Sequence, residues 1–212
     1  MVTRAAIFAI SRLRFGTDGH GITTLVCFMG CPLKCKYCLN PQCHQPVFKA
    51  DGVTPRRGVM LLTPQELYDK VKIDDLYFQA TGGGICFGGG EPLMQADFIR
   101  EFRKICGDRW KINIETALTS TAQMTKLRGV VDHWFVDIKD LENSIRKTYC
   151  QGFGILSSGR LDLLRAYADV KDITIRVPHI PGYNTPEHVR DEIEDLKRRG
   201  FINIDEFTYI KR

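Results

Sequence analysis

Three cysteines stand close together in the spacing Cys-x3-Cys-x2-Cys, within the stretch GCPLKCKYCLN: Cys31, Cys35 and Cys38. A structural zinc site usually has four ligands in two pairs, and this spacing lacks the two-pair pattern. Three thiolates on a tight loop suit three irons of a cubane [4Fe–4S] cluster. The fourth iron would then be open to an exogenous ligand. The sequence therefore predicts an iron–sulfur centre with one open coordination position.

The remaining cysteines allow a second interpretation of the same loop. Cys43 lies five residues after Cys38 and could bind the fourth iron. The chain would then be a non-catalytic electron-transfer or structural iron–sulfur protein. The four scattered cysteines are interpreted as buried small hydrophobic residues: Cys27, Cys86, Cys106 and Cys150. Because no second cysteine set resembles a ferredoxin insert, we expect a single cluster.

Two further groups of residues could bind a ligand. Gly89, Gly90 and Glu91 follow an apolar run. Glycines let a ligand approach the backbone closely, and a carboxylate attracts an ammonium group; a plain glycine turn is the alternative. Asp137 and Lys139 are two residues apart in HWFVDIK, so on a strand both side chains point to one face. A salt bridge at the strand end is the alternative for this pair.

The elements that must position these residues alternate between strands and helices. Six strands are predicted at 23–30, 83–90, 111–117, 133–139, 172–178 and 205–211. Helices are predicted in TPQELYDKVK, where Thr63 and Glu66 form a capping box, and in QADFIREFRKIC, SSGRLDLLRAYAD and TPEHVRDEIEDLKRRG. This alternation favours parallel βαβ units in a partial barrel or an open doubly wound sheet. In either fold the candidate residues collect at the carboxyl ends of the strands.

Length and composition limit the class of protein. A chain of 212 residues fits one domain, 1–212. The net charge of +5 comes without a dense basic block, so nucleic acid is not an expected partner. No apolar run is long enough to span a membrane, and MVTRAAIFAI is interpreted as an apolar patch too short for a signal peptide. We therefore expect a cytoplasmic protein.

Several motifs, in order along nearly the whole chain, resemble those of the radical S-adenosylmethionine (SAM) superfamily. Tyr37 supplies the aromatic residue that precedes the last cysteine of the superfamily signature. The segments DGHGI, GGGEPLMQADFI, VDIKD and TIRVPHIPGYN resemble those of glycyl-radical-enzyme activating enzymes, such as pyruvate formate-lyase activase. The resemblance implies an α/β fold, a partial (β/α)6 barrel of the radical SAM type.

The resemblance also implies cofactors and roles. Cys31, Cys35 and Cys38 would bind the [4Fe–4S] cluster, and SAM would chelate the open iron. Residues matching the SAM-binding motifs are Tyr37, Asn40, Gly89, Gly90, Glu91, Glu115, Thr116, Asp137, Lys139 and Arg176. Asp18 matches a position that faces the protein substrate. No catalytic side chain is expected beyond the cluster and SAM.

The implied reaction is reductive cleavage of SAM to a 5′-deoxyadenosyl radical, which removes a hydrogen atom from a glycine of a partner enzyme. A flavodoxin or ferredoxin would donate the electron. The sequence departs from the family segment DGPGIR at His20 and Thr23. The family segment that carries a His near SAM after the sixth strand is missing, which favours a different substrate or a side open to a large partner. A radical SAM enzyme acting on a peptide or small molecule is the second enzymatic hypothesis.

Overall fold

The computed structural model describes residues 3–151 and 158–210. One eight-stranded sheet forms the centre of the fold, with the spatial order β3-β1-β2-β4-β5-β6-β7-β8. Its strands are β1 (Ala5–Phe15), β2 (Ile22–Phe28), β3 (Met60–Leu62), β4 (Gly84–Gly89), β5 (Lys111–Thr116), β6 (His133–Asp137), β7 (Ile173–His179) and β8 (Asn203–Thr208).

The strands β2 and β4 to β8 pair in parallel and in chain order, which confirms the predicted (β/α)6 arrangement of a partial barrel. The predicted end of the sixth strand at Lys211 lies outside the described residues. The antiparallel strands β1 and β3 were not predicted. The apolar patch in MVTRAAIFAI was not assigned to a strand, and most of it belongs to β1, which pairs with both β2 and β3.

Helices connect the parallel strands. They are α1 (Pro64–Val71), α2 (Asp75–Thr81), α3 (Ala96–Cys106), α4 (Thr121–Lys126), α5 (Asn143–Tyr149), α6 (Ser158–Tyr167) and α7 (Pro186–Arg198). The predicted capping box of α1 is present, since Thr63 and Glu66 exchange side-chain-to-backbone hydrogen bonds. The predicted helix start at Ser157 lies outside the described residues. None of the helices in the described part of the chain is long and apolar enough to cross a membrane.

Two clusters of buried apolar side chains pack the helices and loops against the sheet. The larger one fills the space between the sheet and the helices, and Phe98, Ile99 and Phe102 of α3 are fully buried in it. A smaller cluster packs against the cysteine loop and includes Leu33, Ala117, Tyr149, Cys150, Ile180 and Tyr209. The smaller cluster therefore joins the loop after β2 to later segments of the chain.

Candidate active site

A cavity of about 850 Å³ lies where the carboxyl ends of the parallel strands meet. Ligand pockets commonly measure about 300 to 1,000 Å³. The predicted site residues that line this cavity are Asp18, Cys31, Cys35, Cys38, Asn40, Gly89, Gly90, Glu91, Glu115, Asp137, Lys139 and Arg176. The fold thus brings together candidates from five strand ends. Tyr37 and Thr116 stand outside the lining.

Tyr37 anchors the cysteine loop from behind. Its hydroxyl donates a hydrogen bond to the carbonyl of Pro181 at 3.1 Å. Its ring packs edge-on against Tyr149 and Tyr183, with both centroid distances at 5.9 Å. The backbone N–H of Lys36 donates to the carbonyl of Tyr149 at 3.1 Å. These contacts fix the loop that carries the three thiols, while the predicted contact of Tyr37 with adenosine stays a prediction.

Two of the three candidate ligand thiols have a second thiol directly behind them. Cys35 Sγ lies 3.6 Å from the Sγ of buried Cys150, and this hydrogen bond lowers the pKa of Cys35 to about 7. A hydrogen bond with buried Cys43 likewise lowers the pKa of Cys38 to about 5. Burial raises the pKa of Cys31 to about 12. The paired thiols favour the thiolate form that iron binds.

Cys150 and Cys43 are buried beside the candidate ligand cysteines. Burial of Cys150 confirms its interpretation as a core residue, but its contact with a candidate ligand was not predicted. Cys43 is 2% exposed and does not line the cavity. Its carbonyl accepts a hydrogen bond from the N–H of Gly30 at 2.8 Å, which closes the base of the loop. Cys43 therefore contacts Cys38 from the side away from the cavity.

Glu91 joins the ends of two strands. One carboxylate oxygen accepts hydrogen bonds from the Thr116 hydroxyl at 2.6 Å and the Leu93 N–H at 3.1 Å. The other accepts from the Ala117 N–H at 3.1 Å. Burial raises the pKa of Glu91, although these donors oppose the shift. The carboxylate predicted to attract an ammonium group thus accepts three hydrogen bonds from the protein, one of them from Thr116, and it also lines the cavity.

Gly90 is a position of close backbone approach. A Cβ there would lie 2.2 Å from the carbonyl oxygen of Gly30 and 2.8 Å from that of Phe28. The N–H of Gly90 donates to the carbonyl of Phe28 at 2.9 Å, and the N–H of Glu91 donates to the carbonyl of Gly30 at 2.8 Å. The glycine therefore lets the segment after β4 pack directly on the start of the cysteine loop.

The part of the cavity wall formed by the end of β6 is charged. Lys139 Nζ donates to Asp137 at 3.0 Å and to the Tyr209 hydroxyl at 3.0 Å. Burial opposes ionisation of Asp137, but the charges of Lys139 and Arg176 outweigh it and lower the pKa of Asp137. Asp137 and Lys139 both line the cavity, but not as two positions on one strand. Strand β6 ends at Asp137, and Lys139 reaches the cavity from the segment that follows, with φ +63°. The salt-bridge alternative also holds, because the two side chains pair with each other.

Arg176 connects three parts of the cavity wall. Its guanidinium donates to Glu115 at 2.8 Å and to the carbonyl of Thr17 at 2.8 Å, and it lies over the ring of Phe135 at 4.6 Å. Burial raises the pKa of Glu115, and Arg176 counteracts part of that effect. The pair brings a partly buried cation and anion to the side of the cavity formed by β5 and β7.

An ion pair that was not predicted lies beside the cavity. Both carboxylate oxygens of Asp18 accept hydrogen bonds from the Arg14 guanidinium. Arg14 is opposite Thr23 in the register between β1 and β2. Thr23 occupies the position where the family segment DGPGIR has its arginine, and Arg14 lies across from it on the neighbouring strand. Arg14 was missed because β1 itself was missed.

Comparison with known proteins decides the family. The model of the radical SAM superfamily matches residues 25–196. The chain belongs to the radical SAM superfamily. It is a radical SAM enzyme, whose cofactors are a [4Fe–4S] cluster and SAM. The electron-transfer hypothesis, with Cys43 closing the cluster, does not agree with this assignment.

The curated relatives include activating enzymes. The (2S)-3-sulfopropanediol dehydratase activating enzyme of Klebsiella oxytoca is 24% identical over 273 residues, covering 96% of this chain and 84% of that protein. The pyruvate formate-lyase-activating enzyme of Staphylococcus aureus (strain USA300) is 30% identical over 201 residues, covering 88% and 71%. The corresponding enzyme of Clostridium pasteurianum is 33% identical over 127 residues, covering 59% and 49%.

Solved structures share the fold. The structure of anSMEcpe with bound AdoMet has a TM-score of 0.60 at 20% identity, covering 86% of this chain and 49% of that one. QueE from Escherichia coli has a TM-score of 0.52 at 11% identity, covering 96% and 93%. At these identities the likeness concerns the fold alone.

The residues of the cavity fit both cofactors of the family. Three thiols from one loop line one part of the cavity, and thiolates are the protein ligands of iron–sulfur clusters. Lys139, Arg176, Asp137 and Glu115 line another part, where cations and anions alternate. Such an arrangement suits a ligand that carries both a carboxylate and an ammonium group. Phe207 and Tyr209 also line the cavity and were missed, although their alternating spacing at the end of the sixth strand was a usable signal.

Proposed function

We propose that this enzyme installs a glycyl radical on a partner enzyme. The observation that carries the proposal is the similarity to activating enzymes over 96% and 88% of the chain. When bound, the cluster and SAM supply reductive cleavage of the S–C5′ bond, giving methionine and a 5′-deoxyadenosyl radical that takes a hydrogen atom from the substrate. The protein residues bind, orient and shield these groups.

The cysteine loop holds the cluster in this proposal. Cys31, Cys35 and Cys38 are its ligands, and the thiols of Cys150 and Cys43 lie against the last two. Asn40 follows the loop along the cavity wall and contacts the adenosine side of SAM.

The strand ends hold SAM. Lys139, oriented by Asp137 and Tyr209, binds the carboxylate of the methionine part of SAM. Gly89 and Gly90 present backbone toward its amino group, and Glu91 with Thr116 keeps that backbone in place. Glu115 and Arg176 form the ribose side of the pocket.

The partner enters at the mouth of the cavity. Asp18, held by Arg14, faces the substrate backbone. Leu39 lines the cavity and is 63% exposed, and Phe15, next to lining residue Gly16, is 72% exposed. Exposed apolar side chains beside a polar site are a common feature of surfaces that contact proteins. A docked partner would cover them and exclude water from the cavity.

The cellular setting follows from the chemistry. A low-potential one-electron donor, a flavodoxin or ferredoxin, reduces the cluster. A reducing compartment keeps free thiols available, so we place the protein in the cytoplasm. Residues 1–212 act as a single radical SAM domain.

Electron paramagnetic resonance tests the proposal. The reconstituted, reduced protein is mixed anaerobically with SAM and candidate glycyl radical enzymes. We expect a glycyl doublet that collapses when the partner contains Cα-deuterated glycine, together with 5′-deoxyadenosine that carries one deuterium. Cys35→Ala abolishes both signals, while Cys106→Ala, which changes a buried cysteine away from the cavity, retains them.

The opposite result is equally clear. If no candidate gives a doublet but 5′-deoxyadenosine accumulates with a peptide or small molecule, the activating role is wrong. The second enzymatic hypothesis then replaces it.

A further inference from the structure

A second group of potential metal ligands lies outside the cavity, between the segment after β6 and helix α7. Asp140 directly follows Lys139. His188 and Glu192 are four residues apart on α7, so they share one face of that helix. One ligand atom from each of the three residues lies within 4.8 Å of the others. The fold thus brings an imidazole and two carboxyl groups to one point.

The spacing of these atoms suits a small divalent cation. His188 Nε2 is 3.1 Å from Asp140 Oδ1 and 3.7 Å from Glu192 Oε1. With metal–ligand distances of about 2.0 to 2.1 Å, the ligand atoms of a tetrahedral site are about 3.3 to 3.4 Å apart. The two observed distances bracket that value. All three ligand atoms lie within 4.8 Å of one another, which is compact enough for them to share one ion.

Two buried carboxyl groups, those of Asp140 and Glu192, share a single nearby cationic side chain. The side chain of Asp140 is fully buried and that of Glu192 is 4% exposed. Within the described residues, His188 is the one cationic side chain within ion-pair distance of either group. In the same part of the chain, Glu192 Oε2 is buried without a hydrogen-bond partner. A buried carboxylate oxygen of this kind requires a cation or a proton.

Neighbouring donors orient both carboxyl groups. The Asn184 amide donates to Asp140 Oδ2 at 3.1 Å, and the Glu142 N–H donates to Asp140 Oδ1 at 2.8 Å. The Leu141 N–H donates to Glu192 Oε1. Ligands in metal sites are commonly held by such outer hydrogen bonds. The side chain of His188 is 29% exposed, which leaves a path for an ion and a solvent ligand.

We propose that Asp140, His188 and Glu192 bind one divalent metal ion of the manganese and zinc class, in a site separate from the cluster. Imidazole and carboxylate ligands together suit such ions. The ion would join α7 to the segment after β6. Because Asp140 is adjacent to Lys139, the same ion would hold the backbone that presents Lys139 to the cavity.

The test uses Mn²⁺, which binds oxygen and nitrogen ligands in preference to thiolates. The full chain carries its loaded [4Fe–4S] cluster, so the cluster cysteines are occupied. Mn²⁺ is titrated while the EPR signal of the free ion is recorded. We expect one bound ion per chain, and at least a tenfold weaker affinity in Glu192→Gln and in His188→Gln. Glu194→Gln is the matched control, because it removes the same charge from an exposed position of the same helix.

Thermal unfolding gives an independent measurement. Mn²⁺ should raise the unfolding midpoint of the wild type and of Glu194→Gln, because ligand binding stabilises the native state. At the same Mn²⁺ concentration it should raise the midpoint of Glu192→Gln by less. Absence of saturable Mn²⁺ binding in the wild type overturns the proposal, as does equal binding in wild type and Glu192→Gln. A wild type that binds no ion and unfolds at the same temperature as Glu192→Gln indicates a protonated Glu192 instead.

Discussion

Replacing Glu91 with glutamine separates two roles for this residue. The sequence predicts that its carboxylate attracts the ammonium group of a ligand. The structure gives both carboxylate oxygens protein partners, namely Leu93, Thr116 and Ala117. The first role predicts a loss of SAM affinity, whereas the second predicts a loss of stability before any ligand is added.

The magnitude follows from the hydrogen bonds. A glutamine carbonyl can accept the bonds from Leu93 and Thr116, but its amide group then faces the N–H of Ala117. That buried N–H loses its acceptor, at a cost of about 1 to 3 kcal/mol, and the bonds that remain no longer involve a charged group. We expect Glu91→Gln to lower the free energy of unfolding by about 2 to 3 kcal/mol. For a chain of this length that corresponds to about 4 to 12 °C in the unfolding midpoint.

The assay is thermal unfolding of the reduced apoprotein without oxygen, followed by circular dichroism. Glu194→Gln serves as the control for loss of an exposed carboxylate and should leave the midpoint unchanged within about 1 °C. The reasoning is refuted if Glu91→Gln unfolds with the control while its dissociation constant for SAM increases in the loaded protein. That result would restore the ligand-binding role predicted from the sequence.

Three further changes test other parts of the structure. Gly90→Ala places a methyl group against two backbone carbonyls, so we expect the iron content after reconstitution to fall by more than half. The control Gly159→Ala should retain the iron content, because no atom lies within 4 Å of the added methyl group. Cys150→Ala removes a hydrogen bond from Cys35 and should raise the pKa of that thiol from about 7, measured in apoprotein by alkylation at varied pH. Burial lowers the pKa of His133 below its ordinary value of 6.5. Below pH 6.5 the unfolded state therefore binds a proton that the folded state does not, and the free energy of unfolding should fall as pH decreases. His133→Gln should flatten this pH dependence when it is measured by urea unfolding.

Each of these three predictions is contradicted by a specific result. Full iron content in Gly90→Ala would show that the cysteine loop does not depend on close packing against β4. An unchanged alkylation profile in Cys150→Ala would remove the paired-thiol explanation for Cys35. Wild-type pH dependence in His133→Gln would assign the acid sensitivity to other groups.

The sequence predicted the parallel part of the sheet because β-branched and aromatic runs alternate with capped helices. It did not predict β1 or β3. The pairing of β3 with β1 joins segments far apart in the chain, so no local turn marks it. β1 and β2 are antiparallel neighbours joined by residues 16–21, where Asp18 and Gly19 offered a turn signal that was not used to extend the sheet. Arg14, which belongs to β1, was lost with it.

The sequence also predicted part of the candidate site. Asp137 and Lys139 both line the cavity, but the alternation of side chains along a strand does not explain it. The strand ends at Asp137, and Lys139 follows it with φ +63°. The same rule, applied to the adjacent Glu115 and Thr116, would have separated them: the first lines the cavity and the second binds Glu91. Cys150 could not be found in this way, because 115 residues separate it from Cys35.

The cysteine loop depends on parts of the chain that are made much later. Cys35 contacts Cys150, 115 residues further on, and Tyr37 is held by Pro181, 144 residues further on. At about 5 to 20 residues per second, synthesis needs about 6 to 23 s to extend from Cys35 to Cys150. During that interval the three thiols are on a nascent chain in which the contacts with Cys150 and Pro181 do not yet exist. Insertion of the cluster is therefore a late step in the biogenesis of this protein, and the thiols must stay reduced until the last strands are in place.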